Sequence, residues 1–114
     1  MSVTDIQNIV PIEIVTGYFA KFVHTKEMTI NFLNVIAGST IPLHQHVHEQ
    51  VSLVIEGNFT MIMNGEKHEL IPGKVLVIPS NVLHEGIANT NCKLMDIFCP
   101  VREDYLAKSL AISQ

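Results

Sequence analysis

The chain has 114 residues, of which 47% are hydrophobic and 16% charged, and a formal net charge of −4. That length allows one domain, residues 1–114, because a second core would not fit. Scattered Lys and Arg form no basic stripe, which argues against a nucleic-acid partner, and no apolar run approaches the length of a membrane span.

Taken in order, nearly every segment reads as a short strand. Apolar and β-branched runs fall at 12–15, 18–23, 28–36, 51–56, 58–63, 67–71, 75–78, 82–87 and 93–99. Turn signals separate them: Gly17, Gly38-Ser39, Gly57-Asn58, Asn64-Gly65, Pro72-Gly73, then Pro79 and Asn81, then Asn89 and Asn91. Asn64-Gly65 predicts a type I′ hairpin between 59–63 and 67–71. So many short strands, with turns this close together, predict an all-β closed double sheet of the jelly-roll kind. A helix over 101–110 follows Pro100, with Glu103 and Asp104 in its first turn and Lys108 in its last, as the helix dipole prefers. Leu106 and Leu110 lie four apart and offer an apolar stripe for docking on the barrel.

The N-terminal residues lack the basic and apolar regions of a signal peptide. Cys92 and Cys99 flank one predicted strand, too far apart to bridge if it is extended. Two free thiols without a leader suit the reducing cytoplasm. The low charged fraction and the apolar N-terminal strands point to a homodimer through strand or sheet contacts.

The segment 38–50 carries the chemistry. His44 and His46 are two apart, so on a strand they share a face and can point at one ion. A straight strand would put Gln50 about 13 Å from His46. The chain must therefore bend at 47–49 for Gln50 to join them. A second segment, 73–84, brings a remote His84 after a turn at Pro79. His48 falls in the bend and is expected beside the site or on the surface, while His24 and His68 are expected to be exposed strand residues.

Together the two segments resemble the paired motifs of the cupin superfamily. The first runs Gly38, five residues, His44-x-His46, three residues, Gln50, six residues, Gly57; the second runs Gly73, five residues, Pro79, four residues, His84. The motifs occupy 38–57 and 73–88, and Gln50 and Asn81 stand where the superfamily usually has Glu and Gly. Asn also tolerates positive φ, so Asn81 keeps the turn, whereas Gln50 changes the charge of the site. The resemblance implies a single-domain double-stranded β-helix binding one divalent metal ion through His44, His46, Gln50 and His84. Three imidazoles and an amide suit Zn, Ni, Fe, Mn or Co without choosing among them.

A second constellation lies in 93–106. Leu94, Asp96 and Phe98 share one strand face, and a carboxylate among apolar neighbours is costly unless it is paired or used. If that face is the interior, Asp96 is a candidate acid/base and Arg102 a bidentate anchor for an anionic group. Alternatively Asp96 faces solvent and Arg102 pairs with Glu103 or Asp104. The run His44-x-His46-x-His48-Glu49-Gln50, with the terminal Asp96-x-Phe98-x-Pro100-x-Arg102, is similar to the small cupins of pectin and alginate degradation. Members of that family linearise 4,5-unsaturated monouronates to keto forms. The resemblance implies catalytic roles for Asp96 and Arg102, substrate contact by Phe98 and Arg102, and a sugar acid as substrate. A metal-dependent dioxygenase or isomerase on another small oxygenated substrate, and a non-catalytic ligand-binding cupin, are the alternatives.

Overall fold

The computed structural model describes residues 3–112. A short 3-10 turn, Ile6–Asn8, is capped by Asp5 and leads, among the described residues, into ten strands and one helix. The strands are β1 (Ile12–Val15), β2 (Tyr18–His24), β3 (Thr29–Val35), β4 (Thr40–His44), β5 (Glu49–Glu56), β6 (Phe59–Met63), β7 (Glu66–Leu70), β8 (Val75–Ile78), β9 (His84–Ala88) and β10 (Cys92–Cys99); α1 is Glu103–Ile112. They form a six-stranded sheet ordered β1-β2-β3-β10-β5-β8 and a four-stranded sheet ordered β4-β9-β6-β7. All pairings are antiparallel. This is the jelly-roll barrel read from the strand and turn pattern.

Turn chemistry sets the register. Asn64 and Gly65 have φ of 49° and 77°, as a type I′ turn requires, and Met63 pairs with Glu66 across it. Asn81 has φ 62°, so it fills a left-handed position that glycine would otherwise take. Its amide donates to the His46 carbonyl at 2.8 Å, tying the two motif segments together.

The inner face of the large sheet changes character along its length. Leu33 on β3 and Val54 on β5 both pair with Leu94 on β10, and all three are buried apolar residues. Further along the same strands, Asn31 and Ser52 both pair with Asp96, and Gln50 pairs with Phe98. Over these residues the alternation of each strand is intact, so the same face that builds an apolar core at one end carries buried polar groups at the other. Tyr18, Phe59 and Ile78 are almost fully enclosed in that core. Burial of such side chains, at roughly 25 cal/mol per Å² of apolar area, offsets the cost of a barrel whose other end is polar.

Three expectations differ. β4 was not predicted as a strand, because Pro42 interrupts a short run; β4 lies at the edge of its sheet, where proline is tolerated. The helix runs two residues beyond 110, has no basic residue in its last turn, and leaves Leu110 55% exposed. It docks instead through Tyr105, which stacks on Phe22 at 4.6 Å, and Ser109, whose hydroxyl meets His24 Nε2 at 3.1 Å. His24 is therefore half-buried rather than exposed, and it also meets the Thr29 hydroxyl at 2.9 Å; His68, on β7, is half-buried too. Cys92 and Cys99 are free thiols, as expected. Among the described residues, no helix is long and apolar enough to cross a membrane.

Candidate functional site

The polar ends of both sheets face a cavity whose lining includes His44, Gln50, His84, Asp96, Phe98 and Arg102. His44 closes β4, His84 opens β9, and the two pair directly in the ladder. His46 follows in the bend, and the chain turns there sharply enough to bring Gln50, the second residue of β5, back to it. The bend required by the spacing is thus present: His46 Nε2 lies 3.0 Å from Gln50 Oε1.

The three imidazoles converge. One ring nitrogen from each of His44, His46 and His84 lies within 4.8 Å of the others. The Nδ1 atoms face backbone carbonyls: Pro42 for His44 at 2.8 Å, His48 for His46 at 2.9 Å, and Val82 for His84 at 2.8 Å. A carbonyl only accepts, so each Nδ1 carries the proton and each Nε2 is left with a lone pair. His84 Nε2 is buried without any hydrogen-bond partner. Burial lowers the pKa of His46 and takes that of His84 down to about 4, so both rings are neutral near pH 7. Backbone groups that fix the tautomer of a histidine are how proteins orient metal ligands. The donor set fits a divalent ion.

Gln50 points the same way. Its Nε2 donates to Ser52 Oγ at 2.8 Å, and Ser52 Oγ donates to Asp96 Oδ1 at 2.7 Å. Ser52 has one proton, and the carboxylate takes it, so the amide must turn its NH₂ to Ser52 and its carbonyl oxygen to His46. At 3.0 Å, His46 Nε2 and Gln50 Oε1 are close enough that both could donate to one divalent ion. His48 is half-buried with its ring 5.5 Å from that of His46, outside the cluster of three nitrogens.

Asp96 is buried on the inner face, not in solvent. Burial pushes its pKa up to about 6, against the hydrogen bonds of Ser52 and Gln50 and the charge of Arg102. Arg102 combines both readings of its position. It lines the cavity, yet its Nε and Nη2 grip Asp104 at 3.0 and 2.8 Å. The guanidinium lies over Phe98 at 4.7 Å and over Tyr105 at 3.9 Å, so two aromatic faces hold it flat. Phe98 in turn meets the His46 ring edge-on at 5.6 Å. The spacing of residues did not reveal Ser52, Asn31 or Tyr105. Ser52 had a signal, since it is two residues from Gln50 and shares its face; Tyr105 needed the helix docking to be known.

A double sheet with three imidazoles converging at its polar end is the arrangement of a cupin able to hold a metal ion. The chain belongs to the cupin family, whose cupin-domain model matches residues 31–98. It is 32% identical over 65 residues to the pectin degradation protein KdgF of Dickeya dadantii, an alignment covering 55% of this chain and 59% of that protein. The chain thus spans less than two thirds of that relative's length. Among solved structures it is similar to KdgF from Halomonas sp., at 27% identity and a TM-score of 0.86 over 92% of this chain and 98% of that one. An RmlC-like cupin from Shewanella frigidimarina gives 26% identity and a TM-score of 0.86 over 92% of this chain and 96% of that one.

Proposed function

We propose that this protein holds one divalent ion (Zn, Ni, Fe, Mn or Co) on His44, His46, Gln50 and His84 and linearises 4,5-unsaturated monouronates released from pectin or alginate. The carrying observation is the chain Gln50–Ser52–Asp96, which links the proposed ligand set to a buried carboxyl in a cavity shared with Arg102. The likeness to the KdgF proteins supports the substrate class. When bound, the ion supplies Lewis acidity close to that of its full +2 charge, because none of the four donors is charged.

The chain's own residues then divide the work. Arg102, held planar by Phe98, Tyr105 and Asp104, anchors the sugar carboxylate. Phe98 walls the pocket beside it. Asp96 takes the proton of the anomeric hydroxyl as the ring C–O bond breaks. It returns a proton to the enol carbon as the ketone forms, so the reaction is an isomerisation needing no oxidant. A carboxyl lifted to about 6 is suited to both halves of that exchange near neutral pH. We place the protein in the cytoplasm as a homodimer, with the apolar outer face of the six-stranded sheet as the contact.

The test is to follow the conjugated double bond of an unsaturated monouronate by absorbance, with metal-loaded protein and an oxygen electrode in the same cell. Faster loss than the spontaneous rate, without oxygen uptake, supports the reading; an unchanged rate overturns it. Oxygen uptake would instead favour a dioxygenase.

A further inference from the structure

Asn31 is the anomaly of the cavity. It is 1% exposed, lines the same space as Asp96 and Arg102, and neither Nδ2 nor Oδ1 has a hydrogen-bond partner. Leaving a buried polar atom unpaired is costly, so two on one side chain need a reason. Its neighbours across the ladders supply none: Phe22 on β2 is apolar, and Asp96 on β10 accepts from Ser52. The polar side chains beside Asp96 are already engaged, Gln50 with Ser52 and His46, Ser52 with Gln50 and Asp96. Asn31 is thus an uncommitted neutral donor–acceptor pair, set opposite the carboxyl proposed to move the proton.

We propose that Asn31 is a specificity residue whose carboxamide takes a hydroxyl of the substrate lying against Asp96. A hydroxyl both donates and accepts, which matches a carboxamide with both atoms open. A carboxylate only accepts and could satisfy Nδ2 alone. The ligand class is therefore a hydroxylated sugar acid: its carboxylate on Arg102 and a ring hydroxyl on Asn31. This assignment rests on the uronate reading of the site. A site built to hydrogen-bond a hydroxyl rejects the analogue that lacks it, because its own polar atoms are then stranded.

The experiment compares two probes by calorimetry on zinc-loaded protein: D-galacturonate, and tetrahydropyran-2-carboxylate, which keeps the ring and carboxylate without hydroxyls. Asn31→Leu removes both polar atoms at similar volume. It should cut the preference for galacturonate roughly tenfold and, in chelated protein without ligand, raise Tm by about 4 °C or more. Asn31→Ala gives the same comparison of probes should the Leu variant fail to fold. An unchanged preference, or a lower Tm for the Leu variant, overturns the role of Asn31 and leaves the uronate reading standing. A wild-type protein that binds neither probe sinks the uronate reading, and the hydroxyl assignment with it.

Discussion

His46 is held between two oxygens that can only accept: the His48 carbonyl at 2.9 Å from Nδ1 and Gln50 Oε1 at 3.0 Å from Nε2. A neutral imidazole has one proton and can satisfy one of them. Burial and the charge of Arg102 both keep the ring neutral, so a second proton is disfavoured. A cation held by Nε2 and the amide oxygen would resolve the conflict. Adding zinc to chelated protein should therefore stabilise it by about 2.7 kcal/mol at a hundredfold excess over Kd. His84→Ala, which removes a ligand and its buried lone pair, should abolish that shift. Gln50→Glu should keep the metal, by elemental analysis, and slow turnover, because the added negative charge lowers the Lewis acidity of the site. A zinc-independent melting curve for the wild type would sink the metal assignment.

Acid titration of chelated protein separates two opposed groups. The folded pKa of His84 is depressed from 6.5 to about 4, so the unfolded chain binds more protons between those values and stability falls with acidification there. Asp96 is raised from 3.8 to about 6, so it destabilises above pH 6 and that penalty is relieved as pH falls toward 4. Between pH 7 and pH 5 His84 alone costs about 2 kcal/mol and Asp96 returns about 1 kcal/mol. His24, His46 and His48 are also lowered by burial and add to the fall. Wild type should show a shallow decline over that window. Asp96→Asn should be the more stable protein at pH 8 and lose stability more steeply toward pH 5, measured by denaturant unfolding. Parallel pH profiles for the two proteins would contradict a raised Asp96.

The sequence made the barrel and both halves of the site visible for different reasons. Period-two alternation and Asn64-Gly65 are local signals, and they placed most strands and the hairpin within a residue or two. His44, His46 and Gln50 are close in the chain, so the need for a bend followed from strand rise alone. Arg102 could not be resolved in that way. Its choice between Asp104 and the cavity depended on α1 docking Tyr105 against Phe22, a contact 83 positions apart in the chain. Asn31 was hidden because Asn34 gives the same strand a second polar residue, and only the ladder shows that Asn31 faces inward and Asn34 outward.

Asp96→Asn keeps the shape of the side chain and can still accept from Ser52, but it cannot take a proton. Turnover of an unsaturated monouronate should fall roughly 10²–10⁴-fold, the usual worth of general acid–base catalysis, with metal content unchanged. Loss of metal in the variant, rather than loss of rate at full loading, would assign Asp96 a supporting role instead.

Arg102→Lys keeps the charge and loses the planar fork that grips Asp104 and lies flat on Phe98 and Tyr105. If Arg102 anchors the carboxylate, KM should rise by about tenfold or more while kcat changes less, since the lost contact is present in both ground and transition states. A drop in kcat at unchanged KM would place Arg102 in the proton transfer and not in binding.

The outer face of the six-stranded sheet is apolar where solvent should favour charge. Val75 is 61% exposed, Val77 50% and Ile55 48%, and the half-buried Val51 and Ile97 join them across β8, β5 and β10. Sheet-on-sheet contact with a second copy would cover this face without touching the cavity, which opens on the other side of the same strands. Wild-type protein should therefore scatter light as a dimer at micromolar concentration. Changing Val75→Lys and Val77→Lys together should yield monomers whose zinc stoichiometry is intact. A wild-type mass of one chain would remove the dimer from the proposal while leaving the metal site untouched.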